Sequence, residues 1–134
     1  MCYIVSVHLT KNGSNQSVPC IAIPTDTIIV DLVFVGESTD NGILVYGHVA
    51  IKVPDGTTRD LYSDNFKMIT GGNDAYVTVD LSTYGIGNYK IINAWIEDAG
   101  NGAPRCEGIP NVGYCQTLTV SVPCIQPSCG FILT

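Results

Sequence analysis

Six cysteines are the most informative residues of this chain, because a thiol can either cross-link a protein or bind a metal. They form an even set without any CxxC pair: Cys2, Cys20, Cys106, Cys115, Cys124 and Cys129. A structural zinc site generally uses close cysteine pairs with histidines or a second pair, and His8 and His48 lie far from the last four cysteines. The spacing therefore favours disulfides over zinc, with reduced buried thiols as the other alternative. Disulfides persist in oxidising compartments, so we expect an extracellular or cell-surface protein.

The pairing of the cysteines stays open in the sequence, since several connectivities are compatible with six thiols. Cys106 and Cys115 flank the turn-rich segment EGIPNVGY, which makes them the best single pair to expect. The sequence SVPCI occurs at 17–21 and again at 121–125. This repeat either puts Cys20 and Cys124 in similar settings at strand ends or is a coincidence.

The histidines and carboxylates give little support for catalysis. His8 and His48 are each predicted on the more polar side of a strand. Glu97 and Asp98 are adjacent, so on a strand their side chains point to opposite faces. The sequence contains no GxSxG, HExxH or P-loop motif, and no GxGxxG follows a strand. We therefore expect a protein that is not an enzyme, with no catalytic residues and no cofactor.

Two acidic turns carry oxygen atoms that a calcium ion could use. One turn holds Asp98 and Asn101, and the other holds Glu37, Asp40 and Asn41. Aspartate and asparagine beside glycine also form plain turns through hydrogen bonds to their own backbone. The expectation is that both segments are turns without a metal.

Tyrosines offer an apolar ring with a polar tip, which suits them to stacking against sugars. The candidates are Tyr46, Tyr62, Tyr76 and Tyr84. Tyrosine also favours strands for structural reasons, so the same residues fit a purely structural role.

Two sequons, Asn12-Gly13-Ser14 and Asn15-Gln16-Ser17, lie in one polar loop at 11–17. This pattern accepts N-linked glycans in secreted proteins. A polar turn is the alternative interpretation. Together with the cysteines, the two sequons predict a glycoprotein that carries glycans on Asn12 and Asn15.

The elements that position these residues are predicted to be strands, because apolar residues alternate with a period of two between turn clusters. The strand at 27–35 is apolar on both faces, which indicates a central strand covered on both sides. Further strands are expected at 43–53, 58–62, 75–81 and 89–97. The first strand is expected to carry on one shared face Tyr3, Val5, Val7 and Leu9. The last strand is expected to point inward with Leu118, Val120 and Val122. About seven strands without a helical period predict one domain over residues 1–134, an all-β sandwich stapled by disulfides.

The composition restricts the partners that the protein can have. Charged residues make up 13% of the chain, about half the usual share. The net charge is −6 and the six lysines and arginines are not clustered, which argues against nucleic acid. No apolar run is long enough to span a bilayer, and the opening MCYIVSV lacks the features of a signal peptide, which suggests a mature or trimmed start. A weakly charged surface favours association, so we expect neighbouring subunits or glycans to cover it.

The segment VTVDLSTYGIGNYKIINAWIED at 77–98 resembles the E strand, corner and F strand of immunoglobulin-like domains in bacterial and archaeal surface proteins. In that family a leucine ends one strand, a glycine-bearing corner follows, and a tyrosine opens the next strand. Leu81, Gly85, Gly87 and Tyr89 match those places. The resemblance implies an immunoglobulin-like sandwich. The chain departs from antibody domains because no cysteine lies on the strands that face Trp95.

The resemblance extends to subunits of donor-strand filaments and implies a non-catalytic structural subunit of a filament, surface layer or virion. The apolar segments CYIVSVHL and GFILT would then pair with the open sheet edge of a neighbour. Pairing of these segments within their own domain is the alternative. A second function class is an adhesion module that recognises carbohydrate or protein through loops 36–42, 54–57 and 98–115 at one end of the sandwich.

Overall fold

The computed structural model describes residues 2–15, 20–107, 111–112 and 115–122, and almost all of its regular structure is strand. The all-β prediction is confirmed. The strands are β1 (Tyr3–Lys11), β2 (Ser14–Asn15), β3 (Ile21–Ala22), β4 (Ile28–Gly36), β5 (Leu44–Lys52), β6 (Thr58–Tyr62), β7 (Phe66–Lys67), β8 (Gly71–Val79), β9 (Gly87–Asp98), β10 (Pro104–Cys106), β11 (Asn111–Val112) and β12 (Thr117–Val120). Two single turns of helix join strands: a 3-10 turn at Ser38–Asp40 and α1 at Leu81–Tyr84.

The strands form two sheets. The first sheet has the order β11-β1-β4-β8, with β2 paired to β1. The second sheet has the order β3-β12-β9-β5-β6, with β10 paired to β9 and β7 to β5. Neighbours are antiparallel except for two parallel pairs, β1 with β11 and β3 with β12. The seven described strands of four residues or more correspond to the strands expected from the sequence.

The inward faces of both sheets form one hydrophobic core. Strand β8 illustrates the cause, because Ala75, Val77 and Val79 are buried while Tyr76 and Thr78 between them are exposed. Side chains on a strand alternate between its two faces, so this sequence pattern buries only one face.

Strand β1 departs from the expected alternation at a β-bulge. Ile4 lies opposite Phe34 and Ser6 lies opposite Val33, so Val5 is an extra residue on β1. The extra residue shifts the faces, since a bulge opposes two residues to one. Ile4 is buried instead, and the prediction that Tyr3 and Val5 share a face with the buried Val7 and Leu9 is wrong: Tyr3 and Val5 are 50% and 43% exposed.

Two further expectations about strand faces need correction. Strand β4 is central in its sheet, but Ile29, Val33 and Val35 on its outer face are only half-buried and not covered as predicted. Val122 is 69% exposed and does not face the core. The pairing of β12 with β3 ends at Val120, so Val122 lies beyond the sheet.

Two disulfides join the first part of the chain to a later segment: Cys2 to Cys106 and Cys20 to Cys115. The expected Cys106–Cys115 pair is therefore wrong. Strand β10 brings Cys106 beside the start of β1, where the two Cα atoms of the first disulfide lie 4.8 Å apart. The parallel pairing of β3 with β12 places the second pair of Cα atoms 6.1 Å apart. Cys124 and Cys129 lie outside the described residues.

Candidate functional site

Six polar and aromatic side chains meet on the outer face of the second sheet. Strand register brings them together, because His48 on β5 lies opposite Tyr62 on β6 and Trp95 on β9. Tyr46 lies opposite Glu97 in the same way. Residues two apart on a strand share a face, which adds the remaining members. We call the following residues the sheet-face cluster: Tyr46, His48, Asp60, Tyr62, Trp95 and Glu97.

Glu97 is the centre of the hydrogen bonds in the sheet-face cluster, although it is only 8% exposed. Its Oε1 accepts from Trp95 Nε1 at 2.8 Å and lies 2.5 Å from His48 Nδ1. Its Oε2 accepts a hydrogen bond from the Tyr46 hydroxyl. Burial alone would raise the pKa of Glu97, but the hydrogen bonds from Tyr46, His48 and Trp95 outweigh it and lower the pKa below its usual value. The buried carboxylate is therefore ionised and satisfied.

The His48 ring is held from both sides. Its Nδ1 faces Glu97, and its Nε2 lies 2.8 Å from Asp60 Oδ1. A general base needs a ring nitrogen that can reach a substrate proton. Both nitrogens of His48 already face a carboxylate oxygen, so this arrangement positions the ring and does not direct it toward a reaction.

The rings of the sheet-face cluster contact one another. The His48 centroid lies 3.9 Å from that of Trp95 and 4.6 Å from that of Tyr62. Tyr62 meets Tyr46 edge to face at 5.8 Å. Tyr62 is 54% exposed, and Trp95 is half-buried. The result is a row of fixed rings across three neighbouring strands.

A shallow depression continues from Trp95 toward β10. It has a volume of about 430 Å³ and is lined by Asn93, Ala94, Trp95, Pro104 and Glu107. Asn93 and Glu107 are exposed. The Trp95 side chain therefore forms one wall of the depression, and polar groups lie at its rim.

A second polar group lies on the outer face of the first sheet. Asp31 on β4 is opposite His8 on β1 and interacts with Asp74 on β8. Burial, together with a hydrogen bond to Asp74 and its like charge, raises the pKa of Asp31 from 3.8 to about 7. His8 Nε2 lies 2.7 Å from the Ser6 hydroxyl, and the Tyr76 hydroxyl donates to Asp74 at 3.3 Å. Asp31 therefore keeps its proton up to near-neutral pH.

Strand β8 is the edge of the first sheet. Among the described residues it pairs only with β4, over all nine of its residues. Native edge strands are generally protected by lysine, proline or a bulge. The sequence of β8, GGNDAYVTV, contains neither lysine nor proline, and Asp74 is its one charged residue. In the described part of the chain, the other side of this nine-residue strand has no strand partner.

The two acidic turns considered for calcium are joined by an arginine. Arg105 contacts Asp40 at 3.2 Å and Asp98 at 3.4 Å. Asp40 also accepts from the Glu37 backbone N–H at 2.8 Å, and this bond, supported by Arg105, lowers the pKa of Asp40. The Asn101 side chain accepts from Ala103 N. No group of three or more metal-binding side chains occurs in the part of the chain that the structure describes.

The three loops expected at one end of the sandwich lie at both ends. Residues 36–42 and 98–103 meet at the start of β5, where Ala99 N donates to Leu44 O. Loop 54–57 follows the last residue of β5, and Pro54 lies against Gly87 at the start of β9. The nine residues of β5 separate the two sites by about 30 Å. The grouping of these loops is therefore wrong.

The two sequon asparagines differ in their surroundings. Asn12 lies in the turn after β1 with a φ of 52°, donates to Asp26 and accepts from Thr27 N. Asn15 is exposed on β2. Ser17 of the second sequon lies outside the described residues.

The four predicted sugar-stacking tyrosines are divided between surfaces. Tyr46 and Tyr62 belong to the sheet-face cluster, whereas Tyr76 lies on the first sheet and Tyr84 in α1. The sequence did not indicate that Tyr46 and Tyr62 lie beside Asp60, His48, Trp95 and Glu97. The i and i+2 spacing within each strand was a usable signal, but the register between strands was not readable.

Comparison with known proteins gives no family assignment: no family model matches the chain, and no curated protein matches it. Among the described residues, none of the helices has the length and apolar character needed to cross a membrane. The two disulfides are typical of extracellular proteins.

Proposed function

We propose that the chain is an immunoglobulin-like subunit of an extracellular assembly, in which a neighbouring subunit adds a strand along β8. The single observation that carries this proposal is the second side of β8, which has no strand partner among the described residues along its nine positions. Strand addition uses such an edge for backbone hydrogen bonds and uses alternate side chains for specificity.

The order of the strands supports the immunoglobulin-like part of the proposal. Strands β1, β4 and β8 occupy the places of A, B and E, and β12, β9 and β5 those of G, F and C. Tyr89 at the start of β9 bonds back to Gly85, as in a tyrosine corner. Trp95 is a departure, because it lies on the outer face of β9 and not on the strand that corresponds to C.

The same comparison accounts for the side of β8 that has no partner in the described part of the chain. In constant-type immunoglobulin domains a strand D pairs with strand E at this edge. Here the chain between β6 and β8 contributes only β7, which pairs with β5 in the second sheet. Among the described residues no strand takes the place of D beside β8, which supports the addition of a strand from another subunit.

The pairing of β1 restricts which segment of the chain can act as the donor strand. The segment Tyr3–Lys11 is already paired with β4 in its own sheet and tied through Cys2 to Cys106. The N-terminal segment is therefore not free to act as a donor in this structure. The apolar segment GFILT at 130–134 is the remaining terminal candidate.

Protein purified from its native source is expected to form polymers in negative-stain microscopy and light scattering. Thr78→Lys places a charge on the exposed face of β8 and should give monomers. Thr39→Lys, the same change at an exposed position outside the strands, should polymerise like the wild type. Deletion of 130–134 tests the donor. A wild-type chain that stays monomeric, or a Thr78→Lys variant that polymerises normally, contradicts the proposal.

A further inference from the structure

We propose that the sheet-face cluster and the adjoining depression bind a neutral oligosaccharide on the outer face of the second sheet. This site is separate from the β8 edge, because Tyr62 and Trp95 lie on β6 and β9 of the other sheet. An exposed aromatic ring offers an apolar face to the C–H side of a sugar, while polar groups at its rim meet the hydroxyls.

The rings are fixed before any ligand arrives. Trp95 is held by its bond to Glu97 and by contact with His48 at 3.9 Å. Tyr62 packs against His48 at 4.6 Å and Tyr46 at 5.8 Å. Ordering side chains on binding costs free energy, so a platform that is already ordered binds more strongly. A sheet surface with a purely structural role needs only apolar or hydroxyl side chains. The buried Glu97, with its full set of hydrogen bonds, is better explained by the need to hold the rings in place.

Polar groups flank the rings where sugar hydroxyls would lie. The Oδ1 atom of Asp60 contacts His48 Nε2, and the Asp60 side chain is still 57% exposed. At the other end of the row, Asn93 and Glu107 line the depression of about 430 Å³ beside Trp95. The row crosses β6, β5, β9 and β10, a width of about 14 Å at the usual strand spacing. This width suits a chain of sugars better than one ring.

The charges indicate that the sugar is neutral. Asp60, Glu97 and Glu107 all lie in or beside the row, and the whole chain has a net charge of −6. The negative charge of these carboxylates would repel an anionic sugar bound beside them. A caged cation is also disfavoured, since recognition of this kind needs a space between aromatic rings. Here His48 fills the space between Trp95 and Tyr62.

The chain has one tryptophan, Trp95, so its fluorescence reports directly on this site. We would titrate the full chain with soluble neutral glucan, mannan and galactan, and with polygalacturonate as the anionic probe. The expected result is a saturable change in Trp95 emission with at least one neutral polysaccharide and none with polygalacturonate. Affinity gel electrophoresis with the same polysaccharides provides a second measurement.

Two tyrosines provide a matched pair of variants. Tyr62→Ala should weaken binding about tenfold, the loss expected from one stacked ring. Tyr76→Ala removes an equally exposed tyrosine, 56% against 54%, from the other sheet and should bind like the wild type. Tyr62→Phe keeps the ring and guards against a folding defect, and it should retain binding.

Three outcomes would overturn the proposal. They are an unchanged Trp95 emission with every neutral polysaccharide, equal binding by the two alanine variants, and stronger binding of polygalacturonate. The monomeric Thr78→Lys variant should bind sugar normally, so failure of polymer formation and failure of sugar binding can be told apart.

Discussion

The hydroxyl of Tyr89 donates a hydrogen bond of 2.6 Å to the carbonyl oxygen of Gly85. This bond ties the start of β9 to the residue that follows α1. Burial, with the nearby charge of Asp80, raises the pKa of Tyr89 to about 12, so the hydroxyl keeps its proton at physiological pH. At the other end of the turn, the Asp80 side chain accepts from Ser82 N and Thr83 N. The corner between β8 and β9 is therefore held at both ends.

Tyr89→Phe is expected to lower the free energy of unfolding by about 1–2 kcal/mol, because it removes the bond and leaves the Gly85 carbonyl without this donor. Urea denaturation followed by Trp95 fluorescence measures the change. Tyr62→Phe removes a hydroxyl from an exposed side chain and should have little effect. Equal losses in the two variants would show that the corner bond is not stabilising.

Asp31 is expected to make stability depend on pH. Its pKa is 3.8 in the unfolded chain and about 7 in the folded protein, so ionisation favours the unfolded state. The contribution of protonated Asp31 to the free energy of unfolding is complete below pH 4 and is lost as the pH rises to 7. Asp31→Asn should remove this loss and raise stability at pH 8 by about 1–2 kcal/mol, less than the full shift implies because solvent screens the group.

The measurement is thermal unfolding between pH 4 and pH 8. Asp64→Asn changes an exposed carboxylate and is the control. The groups that face Asp31 are His8 on β1 and Asp74 and Tyr76 on β8. The same pH scan on His8→Gln therefore distinguishes the effect of the histidine on stability from the effect of the two carboxyl groups. A destabilised Asp31→Asn variant at pH 8 would contradict the assignment.

The disulfides can be read by peptide mapping without reduction. Trypsin with a glutamate-specific protease separates the described cysteines into four peptides: 1–11, 12–37, 106–107 and 108–134. Peptide 1–11 should be linked to 106–107, and 12–37 to 108–134. A link between 106–107 and 108–134 would contradict the Cys2–Cys106 pair.

Glycans are predicted on the native protein, with Asn15 more fully occupied than Asn12. Asn15 is exposed, whereas the Asn12 side chain is held by Asp26 and Thr27. Intact mass before and after deglycosylation measures the total, and Asn15→Gln should remove most of it. An unmodified native chain would contradict the prediction.

Local patterns were enough to predict the strands. The alternation at 75–79 identified the buried face of β8, because side-chain direction on a strand depends only on neighbours in sequence. The position of Tyr89 was expected from the resemblance to immunoglobulin-like domains, and its partner Gly85 is only four residues away.

Contacts distant in sequence could not be predicted. Cys2 and Cys106 are 104 positions apart, and only the pairing of β10 near β1 brings them together. His48 and Glu97 required the register of β5 against β9, which alternation within either strand does not determine. The bulge at Val5 reversed the faces of Tyr3 and Val5 without any glycine to indicate it.

The Cys2–Cys106 disulfide also determines how the domain responds to mechanical force. Tension applied upstream of Cys2 and downstream of Cys115 passes through the covalent link, and strands β1 to β10 lie within the loop that it closes. Most of the domain is thus shielded from stretching, and only the segment after Cys106 can extend. A domain pulled at these two points would lengthen little under load until a reductant opened that link.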